Sequence, residues 1–350
     1  MRIAQIAPLT ESVPPRLYGG TERVVSFLTE ELVAMGHDVT LFASGDSRTR
    51  ADLVAGWPCA LRFDPSIRDA NAPHMLMMEQ VRRQAAEFDV LHFHVDYWSF
   101  SLFGRQSTPF MTTLHGRLDL PELAPLFDCF PNVPLISISD AQRLPLPDAN
   151  FIETVYHGLP VDLLTPRRVA PRYLAFLGRI CPEKRPDIAI RIARRVGIPL
   201  KLAAKIDRVD EDYFRDMIQP MIDGTSVELI GEINDAEKPD FLSGAVGLLL
   251  PIDWPEPFGL VMIEAMACGT PVIAFNRGSV PEIIEHGVTG FIVENEEQAV
   301  AAVSKLERLS RSTIRQRFER RFTARRMAEE YVSLYHRLAV KARPALRVVT

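Results

Sequence analysis

The stretch PEPFGLVMIEAMACGTPVIA, residues 255–274, gives the clearest indication of the fold, because successive parts of it favour different secondary structures. The pattern predicts a loop, a helix over residues 259–268, a tight turn at a glycine and then a short buried strand. At the start of such a helix the amides of Phe258, Gly259 and Leu260 have no intrahelical partners. The helix dipole favours an anion there, such as a diphosphate.

The same alternation of short apolar strands and helical segments runs through both halves of the chain. Strands are predicted in the first half at residues 2–9, 37–43, 90–94, 109–115 and 135–139, and in the second half at residues 173–178, 199–204, 227–230, 246–250 and 271–275. Strands that alternate with helices indicate α/β domains with parallel sheets. A proline-punctuated segment without periodicity separates the halves, so a domain boundary is predicted near residue 168.

Two doubly wound, Rossmann-like domains are therefore expected, at residues 1–168 and 169–325. Ligands of such folds bind at the carboxyl ends of the strands, so two facing domains would form the active site in the cleft between them. Near the end of the chain, apolar residues recur at helical spacing and predict one amphipathic helix. These residues are Phe318, Phe322, Met327, Tyr331, Leu334 and Leu338.

The composition is that of an ordinary globular protein and excludes several classes. Lys and Arg number 40 and Asp and Glu 45 among 350 residues, so the formal net charge of −5 argues against a nucleic-acid binder. The four cysteines form no C-x-x-C pair, and no apolar run approaches a membrane span. A cytoplasmic protein with free thiols and no signal peptide is expected. From Lys305 onward 13 basic residues stand against 4 acids, which favours a solvated helix face over contact with anionic lipid.

Two carboxylates flank the predicted anion site, Glu256 in the loop and Glu264 within the helix. Carboxylates accept hydrogen bonds from hydroxyl groups, and sugars offer many such donors. Taken alone, the pair is more simply interpreted as a solvated loop acid and an acid in a surface ion pair. The motifs around the pair change that interpretation.

Several short motifs accompany the two glutamates. GSVPEII and GVTGF follow at residues 278–284 and 287–291. The other motifs are GGTE at 19–22, TLHG at 113–116, SIS at 137–139, Gly178-Arg179 with Lys184, Gly231, and MAEEY at 327–331. In their identity and order they resemble the retaining GT-B glycosyltransferases of family 4, over nearly the whole chain. The resemblance implies a GT-B fold whose C-terminal segment, residues 326–350, packs back on the first domain.

The resemblance also implies a role for each charged site residue. Glu264 would hold the nucleotide ribose and Glu256 the hydroxyls of the donor sugar, and neither would be a covalent nucleophile. Arg179 and Lys184 would neutralise the diphosphate as the nucleotide leaves, which fits the physics of a departing anion. His115 would contact the donor sugar, although its neighbour is a glycine where many relatives carry an acid.

Alternatives remain for several of these positions. Gly19 and Gly20 would let the backbone approach a phosphate or an acceptor, or would simply form a turn with positive φ. Ile230 lies in the segment that contacts the nucleobase in the family. His115 could instead be a packed core histidine, and Arg179 with its companion lysine could be solvated surface charges.

The resemblance as a whole implies a retaining, metal-independent glycosyltransferase. It would move a sugar from a nucleotide-diphosphate donor, based on UDP or GDP, to the hydroxyl of a glycan, a lipid-linked molecule or a small metabolite. The acceptor would be bound by first-domain loops at residues 116–128 and around Tyr18, Tyr97 and Trp98. No cofactor and no nucleic-acid partner are expected, and peripheral contact with a membrane is the less favoured alternative.

Other classes of function predict features that can be checked in the sequence. His92, His94 and Asp96 share one face of a strand and could bind a metal, but this interpretation is less favoured. The acids at residues 207–212 are interpreted as a solvated loop and helix start. A nicotinamide oxidoreductase would need a G-x-G-x-x-G turn after the first strand, which is absent. A non-catalytic binder of nucleotide sugars would predict loss of at least one of the four charged site residues, and all four are present.

Overall fold

The computed structural model of the protein describes residues 1–16 and 19–342, and the chain divides into two units. The first unit comprises Met1–Ile138, Arg143–Gly158 and the chain from Ala324 onward. The second unit comprises Ser139–Gln142 and Leu159–Thr323. The boundary predicted near residue 168 lies inside the second unit, in the segment that leads to its first strand.

The first unit is built on a parallel sheet with the strand order β3-β2-β1-β4-β5-β6-β7. Its strands are β1 (Arg2–Ile6), β2 (Asp38–Ser44), β3 (Asp52–Trp57), β4 (Val90–Phe93), β5 (Phe110–Thr113), β6 (Leu135–Ser137) and β7 (Phe151–Thr154). The five predicted strands are confirmed, although several are shorter than predicted. The sequence did not indicate β3 and β7, which form the two edges and expose part of their residues, so their apolar pattern is weak.

The second unit has a parallel sheet with the strand order β10-β9-β8-β11-β12-β13. Its strands are β8 (Tyr173–Arg179), β9 (Leu200–Lys205), β10 (Val227–Gly231), β11 (Ala245–Leu250), β12 (Val272–Phe275) and β13 (Gly290–Val293). The five predicted strands are again confirmed, and the additional strand, β13, lies at an edge. In both sheets the strand order changes direction at the first strand, which is the doubly wound pattern predicted for this α/β fold.

Whereas β2 and β3 are joined by a loop at residues 45–51, helices connect most of the parallel strands in both units. In the described chain they are α1 (Gly20–Ala34), α2 (Asn71–Gln84), α3 (Phe100–Phe103), α4 (Leu123–Asp128), α5 (Asp140–Arg143), α6 (Pro186–Val196), α7 (Glu211–Tyr213), α8 (Lys238–Ser243), α9 (Leu260–Ala267), α10 (Val280–Ile283), α11 (Glu296–Val303), α12 (Arg311–Arg321) and α13 (Ala324–Ala342). Within residues 1–16 and 19–342, none of these helices combines the length and the apolar character that crossing a bilayer requires.

The prediction of one amphipathic helix near the end of the chain is wrong, because α12 and α13 are separate helices. Phe322 leaves the helical conformation, with φ −133° and ψ 32°, and its carbonyl accepts a hydrogen bond from the amide of Leu159 at 2.9 Å. At this break the chain passes from the second unit, which contains α12, to the first unit, which contains α13. Residues 343–350, which include Arg343 and Arg347 among the 13 basic residues, lie outside the described residues.

Some basic residues of this region bond inside the fold, whereas others, such as Arg320 and Arg325, are exposed on the helices. Arg315 donates to the carbonyls of Leu164 and Ala267, both at 2.7 Å. Arg321 forms an ion pair with Glu285 at 3.0 Å.

Candidate active site

The residues of the predicted anion site lie at the start of α9. Gly259 precedes the helix with φ +78° and ψ 68°, a left-handed conformation that favours glycine. A Cβ atom at this position would lie 2.7 Å from the terminal methyl of Met262 and 3.2 Å from Cγ of Glu256. Gly259 is therefore required both by the turn and by the close approach of Glu256, while Phe258 is buried and Leu260 begins the helix.

Glu256 is held by two donors in the loop before α9. Its Oε2 atom forms an ion pair with Lys184 and accepts a hydrogen bond from Trp254 Nε1 at 3.2 Å. The Lys184 ammonium also lies 4.9 Å from the centroid of the Trp254 ring, within range of a cation–π interaction. Only 10% of the Glu256 side chain is exposed. The sequence predicted Glu256 and Lys184 as site residues but not their direct contact, nor the part of Trp254.

Gly278 and Ser279 fix the backbone of the same loop from the outside. Gly278 has φ +53°, and a Cβ atom there would overlap the backbone nitrogen and oxygen of Glu256. The amide of Ser279 donates to the Glu256 carbonyl at 2.9 Å, and its hydroxyl donates to the Phe258 carbonyl at 2.8 Å. Gly278 was predicted only as part of a motif, and the structure shows why a larger residue would displace Glu256.

Glu264 lies inside α9 and is almost completely buried, with 2% of its side chain exposed. Lys238, at the start of α8, donates to Glu264 Oε1 at 2.8 Å and also contacts Asp235 at 3.0 Å. A buried carboxylate is stable only when paired, so Lys238 is part of the site, although the sequence gave no signal for it. Each predicted carboxylate is thus matched with one lysine.

Arg179, the last residue of β8, lies near acids that follow β9. Its guanidinium is 3.7 Å from Asp207 and 3.5 Å from Asp210. Asp207 also forms an ion pair with Lys205 at 2.7 Å, and burial raises the pKa of the Asp210 carboxyl. The acids at residues 207–212 are therefore not simply solvated as predicted, since two of them face cations. Ile230 is half-buried on β10.

The glycine loop of the first unit leads directly into α1. Gly19 precedes the helix and its carbonyl accepts the amide of Arg23 at 3.1 Å, and Gly20 is the first helical residue. A Cβ atom on Gly19 would lie 2.9 Å from Cβ of Pro15, so close packing within the loop already requires glycine here. Tyr18, a predicted acceptor contact, lies outside the described residues.

His115 follows β5 and is a half-buried residue that contacts the buried histidines His94 and His157. Its Nε2 atom lies 2.9 Å from Nδ1 of His94, and its ring stacks on His157 with 5.2 Å between centroids. Burial lowers the pKa of His115 to about 3, so the ring is neutral at neutral pH. Its Nδ1 atom is buried, and among the described residues it has no hydrogen-bond partner.

The alternative of a metal site at His92, His94 and Asp96 receives no support from the geometry. His92 bonds Tyr335 and Thr113 through its two ring nitrogens, and His94 likewise bonds a protein group through each nitrogen. Hydrogen bonds within the core therefore use all four nitrogens. Over residues 1–16 and 19–342 the structure contains no group of three or more metal-ligating side chains.

Two family models match the chain and together include all of the site residues that the sequence predicted. Glycosyltransferase Family 4 matches residues 18–132, and Glycosyl transferases group 1 matches residues 165–325. The chain belongs to this glycosyltransferase family. The resemblance inferred from the motifs is thereby confirmed at the level of the family.

Relatives of this chain agree with that assignment. The D-inositol 3-phosphate glycosyltransferase of Mycolicibacterium smegmatis (strain ATCC 700084 / mc(2)155) is 27% identical, over 63% of this chain and 59% of that protein. The chain spans about three fifths of the length of the curated relatives it matches.

Solved structures confirm the predicted fold class. AviGT4, a glycosyltransferase involved in avilamycin A biosynthesis, superposes with a TM-score of 0.74 at 24% identity and covers 97% of this chain and 98% of its own. Anabaena Alr3699/HepE in complex with UDP gives a TM-score of 0.74 at 18% identity, over 97% of this chain and 100% of its own. At this identity the likeness shows a shared fold.

Proposed function

We propose that the protein is a retaining glycosyltransferase that uses a nucleotide-diphosphate sugar as donor and a hydroxyl group as acceptor. The observation that carries the proposal is the pair of buried lysine–glutamate contacts, Lys184–Glu256 and Lys238–Glu264, at the start of α9. A diphosphate at the N-terminus of this helix would meet backbone amides and the positive end of the helix dipole, and hydroxyls of the ribose and sugar would meet carboxylates.

The proposed roles in the second unit follow from charge and hydrogen-bonding capacity. Glu264 holds the ribose, and Ile230 lies beside the base. Glu256 receives both Lys184 and Trp254 on Oε2, so Oε1 is the oxygen proposed to accept a sugar hydroxyl. This division predicts that Glu264 governs nucleotide affinity and that Glu256 governs transfer.

In the proposed reaction, the bond between the anomeric carbon and the phosphate oxygen breaks, and its electron pair leaves with the diphosphate. Arg179, Lys184 and the α9 amides stabilise the developing charge, which is usually the largest contribution to such catalysis. The acceptor oxygen forms the new bond on the same face and releases its proton, and the departing phosphate oxygen on that face is the nearest base. Retention of configuration follows.

In the first unit we propose that Gly19 and Gly20 bring the backbone close to the substrate and that His115 contacts the donor sugar. Tyr97, which is 46% exposed, and Trp98, which stacks on His74, are proposed acceptor contacts. UDP is the first nucleotide to test as the carrier of the donor sugar, because the Anabaena protein of the same fold was solved with UDP. D-inositol 3-phosphate is the first acceptor to test, because curated relatives are named for it.

Binding is tested by calorimetry of the protein with UDP, GDP, ADP, TDP and NAD. We expect one nucleoside diphosphate to bind, and Glu264→Gln to weaken it at least tenfold. Glu297→Gln, which removes a charge at a carboxylate that is 72% exposed on the same unit, should have no effect. Binding of NAD alone would overturn the proposal.

Transfer is then measured with the sugars carried on the nucleotide that binds. We expect turnover that persists in EDTA, and a product whose anomeric configuration, read by NMR, matches the donor. Glu256→Gln should lower turnover more than nucleotide affinity. Nucleotide binding without transfer to any hydroxyl acceptor would instead favour a non-catalytic binder of nucleotide sugars.

A further inference from the structure

A continuous chain of hydrogen bonds runs through the core of the first unit and ends at His115. From Tyr335 on α13 it passes through the side chain of Gln5 on β1 to His94, which follows β4, and then to His115. The distances are 2.9 Å from Gln5 Nε2 to the Tyr335 hydroxyl, 2.8 Å from Gln5 Oε1 to His94 Nε2, and 2.9 Å from His94 Nδ1 to His115 Nε2. Gln5 and Tyr335 are completely buried, and His94 is nearly so.

The sheet explains why these side chains meet. Strand β4 lies between β1 and β5, and Gln5 is in register with His92 on the neighbouring strand. Residues in register on parallel strands project from the same face. Gln5 on β1 and Tyr335 on α13 therefore bond each other, and they also bond His94 and His92, respectively, at the end of β4.

The chain has a direction that is set by the Gln5 amide. Its NH2 group donates to Tyr335, so its carbonyl oxygen faces His94 and must accept a proton from His94 Nε2. Burial lowers the pKa of His94 well below its usual range, so the ring is neutral and its Nδ1 can only accept. His115 must then donate from Nε2, and because it is neutral too, its buried Nδ1 carries a lone pair and no proton.

We propose that Tyr335, Gln5 and His94 are positioning residues that hold His115 in the Nε2–H tautomer, so that Nδ1 accepts a hydrogen bond from a hydroxyl of the sugar substrate. The inference rests on the proposed function for the identity of the ligand, but the tautomer itself does not depend on it. A ring in the opposite tautomer would present N–H to the hydroxyl and would require that hydroxyl to act as an acceptor.

A second branch of the same network provides a matched control. The Tyr335 hydroxyl also bonds His92 at 2.8 Å, His92 bonds Thr113 at 2.7 Å, and Thr113 bonds the Tyr331 hydroxyl at 3.0 Å. This branch leads away from His115. Tyr331→Phe and Tyr335→Phe therefore each remove one buried hydroxyl from α13, but only Tyr335→Phe cuts the path to His115.

The tautomer is read directly by long-range proton–nitrogen NMR of protein labelled with ¹⁵N-histidine, with the His115 signals assigned by their loss in His115→Gln. We expect a protonated Nε2 and a bare Nδ1 on His115 in the parent protein and in Tyr331→Phe. Tyr335→Phe should give a mixture of tautomers, because the Gln5 amide loses the group that orients it. A protonated Nδ1 in the parent, or an unchanged His115 in Tyr335→Phe, would overturn the inference.

Transfer kinetics supply the second readout. Tyr335→Phe should lower kcat about tenfold, the scale of one misaligned hydrogen bond, while UDP affinity measured by calorimetry stays constant. Tyr331→Phe should leave both unchanged. A merely structural role of Tyr335 would move the two tyrosine variants together. If the parent transfers no sugar to any acceptor, the proposed function fails, and the NMR result still decides the tautomer.

Discussion

Lowering the pH from 7.5 to 5.5 is expected to weaken the first unit, because three of its histidines are buried, a fourth, His115, is half-buried, and all four are neutral. Burial lowers the pKa of His115 to about 3 and holds those of His92, His94 and His157 well below the usual range. In the unfolded chain each ring takes up a proton at about pH 6.5. Below that pH the unfolded state binds more protons than the folded state, so the free energy of unfolding falls as the pH falls.

The size of the effect follows from the proton uptake of the unfolded chain. Each histidine that stays neutral in the folded state removes about 1.4 kcal/mol of stability between pH 7.5 and 5.5. The four together remove about 5–6 kcal/mol, which is comparable with the whole stability of many domains. The pKa values of Glu22 and Asp96 are raised by burial, and these groups act with the opposite sign because the folded state takes up protons first. The contribution of one histidine to the pH dependence of stability is therefore best measured as the difference between a variant that lacks it and the parent protein.

Urea unfolding of His92→Gln at the two pH values isolates one ring. We expect this variant to lose about 1.4 kcal/mol less than the parent between pH 7.5 and 5.5. Thr113→Val, which removes the hydroxyl 2.7 Å from His92 Nε2 but no titrating ring, should lower stability equally at both pH values. Trp57 and Trp98 lie in the first unit, so a Trp254→Phe background makes fluorescence report on that unit. Equal losses in His92→Gln and the parent would refute the reasoning.

Three further predictions concern the second unit. Gly278→Ala should lower the free energy of unfolding in urea by about 3 kcal/mol or more, because the new Cβ atom overlaps backbone atoms. Gly287→Ala, the control, has open space around the new Cβ atom at φ +77° and should cost about 1–2 kcal/mol. Equal costs of the two substitutions would contradict this account. Lys238→Met should lower the free energy of unfolding by about 3–5 kcal/mol, because it leaves the carboxylate of Glu264 buried without that ammonium. Adding Glu264→Gln should recover part of the loss. A double-mutant cycle of unfolding free energies measures this recovery. Burial raises the pKa of the Cys268 thiol to about 12, so mass spectrometry should find it unmodified by a thiol reagent at pH 8 until the protein is unfolded.

Hydrophobic pattern was sufficient to predict the strands in the middle of each sheet. β8 begins at Tyr173 as predicted, and α9 starts and ends within one residue of its predicted limits. Such strands are buried on both faces and read as short apolar runs. The strands that were missed, β3, β7 and β13, all lie at sheet edges. The break between α12 and α13 was missed because apolar spacing continues across Phe322, while the hydrogen bond that ends the helix comes from Leu159, far away in the sequence.

The site shows the same limit at the level of side chains. The motifs identified Glu256 and Glu264 because hydroxyl recognition demands particular residue types at particular spacings. The residues that pair with these glutamates are less restricted in type and position, since any cation that reaches a buried carboxylate can neutralise it. Lys238 on α8 pairs with Glu264 on α9 across 26 positions of sequence. Such a pairing can be found only when the fold brings the two side chains together.

The orientation of protons in the first unit is a further property that residue identity does not determine. Histidine, glutamine and tyrosine each donate and accept, so the path from Tyr335 to His115 has two self-consistent arrangements, one the reverse of the other. The sequence allows both. The structure selects one through the Gln5 amide, whose nitrogen faces Tyr335 and whose oxygen faces His94. A substitution on α13, 330 positions from Gln5, should therefore change which nitrogen of His115 carries the proton, without touching His115 itself.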